Sequence, residues 1–173
     1  MKLKSIAAVG FLALGAATAA QATTSSLGTL TPLIVSDGAL SFNAGLINDN
    51  YTFTLTAASW VQSNVHLLTG SAAVSPAFYG IYTAGADNIV GNFDDVAVAG
   101  TSHNFSTAST TYQDTLSAGS YYFKVFALAS GANAYSISAS ATAVPVPEPE
   151  TYALLAAGLG IVGFVASRRR RDF

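Results

Sequence analysis

The run Tyr51-Thr52-Phe53-Thr54-Leu55-Thr56-Ala57 sets the fold class of this 173-residue chain. Apolar residues alternate with threonines, and a period of two places the apolar side chains on one face of a β-strand and the hydroxyls on the other. Residues 135–142 repeat the pattern, with Tyr135 and Ile137 opposite serines. Both runs predict strands with one buried face and one solvated face.

Residues 121–128 are apolar at nearly every position, which predicts a central strand buried on both faces. Further strands are predicted at residues 29–35, 39–42, 60–68, 77–82, 95–98 and 111–116. Turn-forming residues separate them, namely Asp37-Gly38, Thr69-Gly70, Ala84-Gly85, Ser117-Ala118-Gly119 and Gly131-Ala132-Asn133. The sequence therefore predicts an all-β chain: an antiparallel β-sandwich, jelly-roll-like, with about eight or nine strands.

The distribution of charge divides the chain into three parts. Six of its seven basic residues lie near the two ends, and Lys124 is the only one between them. Six aspartates share that middle region: Asp37, Asp49, Asp87, Asp94, Asp95 and Asp114. One lysine cannot neutralise a run of phosphates, so nucleic-acid binding is excluded. The absence of cysteine excludes a disulfide framework and thiolate chemistry.

The N-terminal segment has the order of a secretory signal. Lys2 and Lys4 precede an apolar run over residues 6–17, and the small residues Ala20 and Ala22 follow. About 12 apolar residues are too few for a membrane anchor, which is the alternative interpretation. We predict a signal helix at residues 1–22 that a signal peptidase removes after Ala22.

The C-terminal segment, residues 144–173, joins three features in a fixed order. Val146-Pro147-Glu148-Pro149 is followed by an uncharged stretch at 152–167 and then by the four arginines Arg168, Arg169, Arg170 and Arg171. The stretch is about 24 Å long as a helix, shorter than a ~30 Å hydrocarbon core. Tyr152 and snorkelling arginines can extend it. We predict a transmembrane helix with the arginines as a cytoplasmic stop-transfer cluster; a buried soluble helix is the alternative.

These three features closely resemble the PEP-CTERM protein-sorting signal, a tail that is also labelled by similarity to an ice-binding protein C-terminus. The resemblance implies that an exosortase, a membrane-embedded transpeptidase-like enzyme of Gram-negative bacteria that make exopolysaccharide, reads Pro147, Glu148 and Pro149 as a substrate motif. It also implies export, inner-membrane anchoring with the domain in the periplasm, and later delivery to the cell surface or biofilm matrix.

The central region, residues 23–143, carries two further resemblances. Ile47-Asn48-Asp49-Asn50-Tyr51 is similar to the motif of the FxDxF-type subgroup of PEP-CTERM proteins, with Asp49 retained and both aromatic positions altered. Residues 116–122, Leu-Ser-Ala-Gly-Ser-Tyr-Tyr, resemble the end of bacterial pre-peptidase C-terminal domains, which are β-sandwich accessories. Neither resemblance supplies a catalytic residue.

Few residues of the central region point to chemistry. His66 is expected to be exposed and His103 to lie in a turn, and the sequence contains neither a Gly-x-Ser-x-Gly elbow nor a His-Glu-x-x-His motif. Asp87, Asn92, Asp94 and Asp95 form a weak calcium candidate, because oxygen ligands and glycines suit a hard cation. They also suit an ordinary turn. Asn50 and Asn104 fit the minimal N-glycosylation pattern.

We therefore predict a non-enzymatic surface or matrix protein that needs no cofactor, calcium aside. Its partners would be signal peptidase, exosortase, the membrane through its C-terminal helix, and exopolysaccharide. The alternative is a carbohydrate-binding or adhesion module whose contacts are Trp60, Tyr79, Tyr82 and Tyr112, provided that these aromatic side chains form an exposed platform. A small secreted hydrolase is the third hypothesis.

Overall fold

The computed structural model describes residues 23–41, 44–145 and 149–169. The predicted signal helix with Ala20 and Ala22 lies outside the described residues. So do Pro147 and Glu148 of the sorting motif and Arg170 and Arg171 of the basic cluster. The predicted boundaries between leader, domain and tail stay predictions.

The described residues form ten strands and one helix. In chain order they are β1 (Thr24–Thr29), β2 (Val35–Ser41), β3 (Gly45–Leu55), β4 (Ser59–Leu67), β5 (Val74–Thr83), β6 (Val96–Ala97), β7 (His103–Asn104), β8 (Thr111–Leu116), β9 (Gly119–Ala129), β10 (Asn133–Ala143) and α1 (Pro149–Arg169). The all-β prediction is confirmed for the central region.

The strands form two sheets packed face to face. Sheet A has the order β1-β3-β9-β5-β6, with β7 also paired to β5, and sheet B has the order β2-β10-β4-β8. Apart from β1, which runs parallel to β3, the paired strands are antiparallel. When β1 and β7 are set aside, eight strands remain, in the orders β3-β9-β5-β6 and β2-β10-β4-β8. This is the strand order of a jelly roll.

The core lies between the sheets and is built from the apolar half of each alternating strand. Phe53 and Phe123 of sheet A stack with ring centroids 4.6 Å apart. Val61 and Ile137 of sheet B are fully buried opposite them. The period-two run at 135–142 therefore buries the predicted face. The run at 51–57 does so only as far as Leu55, because β3 ends there and Ala57 is exposed.

The prediction for β9 is confirmed in its position and only in part in its burial. The strand lies between β3 and β5 in the middle of sheet A. Tyr122 is buried on the outer face, whereas Leu128 on the same face is 50% exposed. The outer face is covered at one end only, because the loop at residues 84–95 packs over that end.

Two predictions near the start of the domain are wrong. Residues 30–34 connect β1 to β2 and are not a strand, since Pro32 has no N–H to give to a ladder. Asp37-Gly38 is not a turn but lies inside β2, where Gly38 pairs with Ser136. A Cβ at Gly38 would overlap the carbonyl oxygen of Tyr135, so the glycine permits close strand approach and does not mark a turn.

Two shorter corrections concern the region after β5. The strand predicted at 95–98 is reduced to Val96–Ala97, and the turn predicted at His103-Asn104 is the two-residue strand β7. Both short strands pair with β5. Such short pairings depend on a neighbouring strand for their hydrogen bonds and leave little periodic signal in the sequence.

Candidate functional site

The sorting tail enters the structure at Pro149, the first residue of helix α1 (Pro149–Arg169). A proline suits the first turn, because an N–H there has no partner within the helix and the ring already fixes φ. The helix therefore starts at Pro149 itself, slightly earlier than predicted. The side chains of residues 152–168 are exposed, including Tyr152 and Arg168.

The predicted transmembrane helix needs correction. No helix within the described ranges is long and apolar enough to cross a membrane. The uncharged stretch at 152–167 is short for a ~30 Å hydrocarbon core, and Gly158, Gly160 and Gly163 reduce its apolar character. The stop-transfer role of Arg168, Arg169, Arg170 and Arg171 stays a prediction.

The loop at residues 84–95 contains the four oxygen-bearing side chains that the sequence singled out. Asp87 accepts a hydrogen bond from Asn92 Nδ2 at 2.7 Å and one from the Ile89 N–H at 2.8 Å. Asp94 Oδ2 accepts from the Ala86 N–H at 2.9 Å. These oxygens thus hold the backbone of the loop, as Asx residues do in turns.

Asp95 anchors this loop to sheet A. Its carboxylate accepts the N–H groups of Gly85, Gly91 and Asn92 at 3.1, 2.6 and 3.0 Å, and the Tyr122 hydroxyl donates to it at 2.6 Å. Burial favours a raised pKa for Asp95, but the bonds from Tyr122, Gly91, Gly85 and Asn92 outweigh burial and lower the pKa. Burial and the neighbouring carboxylate raise the pKa of Tyr122.

The calcium hypothesis stays a prediction. Asp87, Asn92, Asp94 and Asp95 do share one loop, as the sequence indicates. Within the described part of the chain, however, no three His, Cys, Asp or Glu side chains come together in a group that could hold a metal ion. The contacts of these four residues account for the loop without a cation.

A groove of about 380 Å³ lies on the outer face of sheet A, and we call it the hydroxyl groove. Strands β1, β3 and β9 form its floor, and Asn88 and Val90 of the 84–95 loop form one wall. Tyr121 and Tyr122 also belong to its lining, but the Tyr122 side chain is buried and the Tyr121 ring stacks on Phe53. The serines and threonines of the lining are Ser26, Thr29, Thr52, Thr54 and Ser120. Several polar groups on one concave surface suit a polar, hydroxyl-rich ligand.

The aromatic platform proposed from the sequence does not form. Tyr79 is fully buried in the core, with its hydroxyl 3.1 Å from Ser63 Oγ. Tyr82 stacks on Tyr122 of sheet A at 5.5 Å between centroids, whereas Trp60 belongs to β4 of sheet B and is 38% exposed. Tyr112 of β8 stacks on His103 at 4.1 Å. Tyr79 and Tyr112 meet edge to face at the core, with ring centroids 6.3 Å apart. Tyr82 and Trp60 belong to different sheets, so the four rings form no single exposed platform.

The histidines are both held by neighbouring side chains. His66 Nδ1 lies 2.9 Å from Asn64 Oδ1, and His103 Nε2 lies 3.0 Å from Asp114 Oδ2. The second pair joins β7 of sheet A to β8 of sheet B. Neither histidine lines the hydroxyl groove.

The two predicted glycosylation positions differ in access. Asn104 is exposed, but Asn50 is only 2% exposed and lies under the 84–95 loop beside Gly91. A glycan cannot occupy Asn50 in the folded domain. The N-glycosylation pattern at Asn50 therefore does not mark an accessible glycosylation site.

The sequence analysis missed a buried polar network around Asp49, which is 7% exposed. Tyr135 Oη donates to Asp49 Oδ2 at 2.6 Å and lies 2.7 Å from Tyr51 Oη. Asp49 Oδ1 accepts the Thr23 N–H at 3.1 Å. The sequence does contain a signal for this network. Asp49 alternates with Ile47 and Tyr51 on the apolar face of β3, and this position predicts that its carboxylate is buried.

Residues 145–171 match the family model of the PEP-CTERM protein-sorting motif. The chain therefore carries this motif, as the tail predicted, and the motif implies export, membrane-associated sorting and processing by an exosortase. The FxDxF subgroup and the ice-binding label stay predictions. A comparison with curated protein sequences finds no match.

Among solved structures, the chain is similar to the pre-peptidase C-terminal domain of collagenase from Bacillus anthracis. The identity is 15%, the alignment covers 69% of this chain and 97% of that one, and the TM-score is 0.41. It is also similar to PliG of Aeromonas hydrophila, a periplasmic inhibitor of g-type lysozyme, at 12% identity, 70% and 100% coverage and a TM-score of 0.41. Neither likeness supports an argument about function.

Proposed function

We propose that this chain is a non-enzymatic exported protein that an exosortase delivers to the cell surface or the extracellular matrix. The match of residues 145–171 to the PEP-CTERM motif carries the proposal. The central domain is consistent with a non-enzymatic role. Its polar side chains hold strands and loops together, as the bonds of Asp95 and Asp49 illustrate, and the histidine–aspartate pair lies away from the hydroxyl groove.

In this proposal the three parts of the chain act in sequence. The leader at residues 1–22 directs export, a signal peptidase removes it after Ala22, and the β-domain folds in the periplasm. The tail then keeps the protein at the membrane until the exosortase reads Pro147, Glu148 and Pro149. Association with exopolysaccharide or biofilm follows from the setting of this sorting system.

The experiment is a replacement of Pro147, Glu148 and Pro149 by alanine in the full chain, expressed in an exosortase-containing Gram-negative host. We expect the variant to be exported and to lose its leader, but to stay in the membrane fraction with its tail attached. The wild type should appear at the surface or in the medium with a shorter tail, as intact mass would show.

The matched control is Pro145→Ala, which changes a proline just before the Pro147-Glu148-Pro149 triplet. It should be sorted like the wild type. Wild-type sorting of the triple variant, or unchanged tail processing in a host without its exosortase gene, would contradict the proposal.

A second function, binding of a saccharide, is favoured by the hydroxyl groove. Its five serine and threonine hydroxyls and its amide at Asn88 offer hydrogen-bond partners for a sugar. This surface differs from the aromatic platform of Trp60, Tyr79, Tyr82 and Tyr112, which was only an alternative to burial of these side chains in the core. Host polysaccharide coupled to a gel would retain the protein if the groove binds it.

The variant Thr54→Val removes one hydroxyl of the groove at nearly constant shape. Thr111→Val makes the same change at an exposed position of β8 in sheet B. We expect the first variant to weaken retention on the gel and the second to leave it unchanged. Equal retention of wild type and Thr54→Val, or no retention of the wild type, would remove the groove from consideration.

A further inference from the structure

Asp49 is a carboxylate placed between the two sheets, at a position where the surrounding side chains are apolar or aromatic. Only 7% of the residue is exposed. Its Oδ2 accepts the hydroxyl of Tyr135 from sheet B at 2.6 Å. A buried carboxylate with neutral donors alone is costly, because its desolvation is not balanced by an opposite charge.

No basic side chain of the domain can supply that charge. Lys124 is the only lysine or arginine between Lys4 and Arg168. It lies on the outer face of sheet A, where its Nζ is 5.7 Å from the ring centroid of Tyr82. His66 and His103 are engaged with Asn64 and Asp114. The counter-charge of Asp49 must therefore come from a group other than a side chain of the domain.

The second contact of Asp49 is the backbone nitrogen of Thr23, 3.1 Å from Oδ1. This nitrogen is held in place, because the carbonyl oxygen of the same residue accepts the Asn50 N–H at 2.7 Å. The parallel pairing of β1 with β3 starts at the next residue, Thr24, opposite Asn50. The start of β1 thus aims the Thr23 nitrogen at the buried carboxylate.

We propose that cleavage of the Ala22–Thr23 bond turns this nitrogen into an α-ammonium group that forms an ion pair with Asp49. Water adds across the peptide bond: the hydroxyl goes to the Ala22 carbonyl carbon, the Thr23 nitrogen gains the hydrogen, and the C–N bond breaks. Near neutral pH the new acid gives up its proton and the amine takes one. Removal of the leader therefore supplies the missing counter-charge and completes the domain.

This inference rests on the proposed export route and deepens it by giving the cleavage site a structural role. The small residues at positions 20 and 22 predict cleavage after Ala22, and the contact between Thr23 and Asp49 is an independent observation that points to the same bond. Cleavage one or two residues earlier would leave the charge displaced from Asp49, since each residue spans about 3.3–3.6 Å when extended.

The test uses the full chain, secreted by a Gram-negative host and purified after leader removal, and compares it with a variant carrying two serines inserted between Ala22 and Thr23. The insertion moves the α-amine away from Asp49 but leaves every residue of the domain unchanged. N-terminal sequencing first establishes where each chain begins. We expect Thr23 in the wild type and the first inserted serine in the variant.

Asp49→Asn is then introduced into both backgrounds, and thermal midpoints are compared in a double-mutant cycle. In the wild-type background Asp49→Asn should lower the midpoint by about 5 °C. In the insertion background it should have a smaller effect or raise the midpoint, because there it removes an uncompensated buried charge. Asp37→Asn is the matched control, since Asp37 lies near β1 through Ser25 but has no contact with Thr23; its effect should be equal in both backgrounds.

A second measurement does not depend on the folding of an Asp49 variant. An amine-acylating reagent should modify the α-amine of the native wild type severalfold more slowly than that of the insertion variant. Equal labelling rates, or the same effect of Asp49→Asn in both backgrounds, overturn the ion pair while the export route stands. Cleavage at another bond overturns the inference alone, and retention of the whole leader overturns the export route with it.

Discussion

At the scale of single residues, the molecule depends on a few polar side chains inside an apolar core. Tyr135 is the central one, because its hydroxyl contacts both Asp49 and Tyr51 across the gap between the sheets. The Tyr51 and Tyr135 rings also meet edge to face at 6.3 Å between centroids. This network fixes the relative position of β3 and β10, because each member has its partner only in the correct register.

We expect Tyr135→Phe to destabilise the domain by about 1–3 kcal/mol, because it removes the hydrogen-bond partner of two buried oxygens, Asp49 Oδ2 and Tyr51 Oη. Urea unfolding followed by circular dichroism measures the change. Tyr121→Phe is the control: its hydroxyl contacts Ser117 in an exposed turn, so the same deletion should cost under about 0.5 kcal/mol. Equal losses in the two variants would mean that the network contributes no stability.

The buried tyrosines also predict a loss of stability in alkali. Burial raises the pKa of Tyr51 and of Tyr79 to about 12 and also raises the pKa of Tyr135. The folded state therefore keeps protons that the unfolded state releases near pH 10. Stability is full below about pH 10 and falls as the pH rises through the folded-state pKa values.

Urea midpoints between about pH 8 and 12 test this dependence. Tyr79→Phe removes one of the perturbed groups and should make the decline shallower. Tyr152→Phe removes an exposed tyrosine of α1 and should leave the decline unchanged. A flat midpoint across this range in the wild type would contradict the expected linkage.

At the scale of elements, the loop at residues 84–95 is the feature that shapes the outer face of sheet A. Asp95 gathers three N–H groups of the loop and the hydroxyl of Tyr122, which also lines the hydroxyl groove. A Cβ at Gly85 would overlap the Asp94 carboxylate. The loop is therefore a packed wall of the groove, set by close approach of backbone and carboxylates.

Gly91 provides a test of this packing. It has a φ of +91°, and a Cβ there would lie 2.8 Å from the Nδ2 of the buried Asn50. Gly100 has a similar φ of +82° but open space around it. Gly100→Ala should cost about 1–2 kcal/mol from backbone strain alone, and Gly91→Ala about 1–3 kcal/mol more from overpacking.

Chemical denaturation gives both values, and amide hydrogen exchange at Gly85 and Asn92 reports whether the loop opens. Faster exchange at these amides is expected in Gly91→Ala and not in Gly100→Ala. If the two alanine variants were equally stable, Asn50 would have to be free to move, and the loop would not be packed against β3 as described.

At the scale of the whole molecule, the β-domain and the tail helix have different relations to solvent. Side chains of the domain alternate between core and surface, whereas those of residues 152–168 are exposed throughout. The domain has its own core, built from both sheets. Its stability should therefore be independent of the tail.

We expect a chain that ends at residue 148 to unfold within about 2 °C of the full chain, because the side chains of residues 152–168 are exposed and bury no apolar surface against the domain. Scanning calorimetry of the two proteins measures this. A chain that ends at residue 132 is the control: it lacks β10, the strand between β2 and β4, and should not fold. A large loss on removal of the tail alone would show that the helix stabilises the domain.

The predictable part of this fold came from local patterns. Alternation at 51–57 and 135–142 predicted strands and their buried faces, because one strand's side-chain period needs no knowledge of its neighbours. Residues 111–116 were predicted with the bounds of β8. Pro147-Glu148-Pro149, the apolar stretch and the arginines predicted the sorting motif for the same reason, since all three lie within about 25 residues.

The misplaced elements are those whose conformation depends on distant chain. Asp37-Gly38 has the composition of a turn, yet Gly38 lies in β2 because the Tyr135 carbonyl approaches it from β10. His103 and Asn104 become a strand only because β5 offers free hydrogen-bonding groups beside them. No local pattern in the sequence reports such a neighbour.

The sequence by itself determined the class of fold, the alternation of its strands and the protein-sorting motif of its tail. Only the tertiary structure decided which polar groups meet. Asp49 and Tyr135 are 86 residues apart and Asp95 and Tyr122 are 27 apart, and the hydroxyl groove draws on three strands and a loop. The physical reason is the distance along the chain over which each effect acts. Strand periodicity depends on adjacent residues, whereas the buried Asp49 meets its hydrogen-bond donor Tyr135 only after the two sheets have packed.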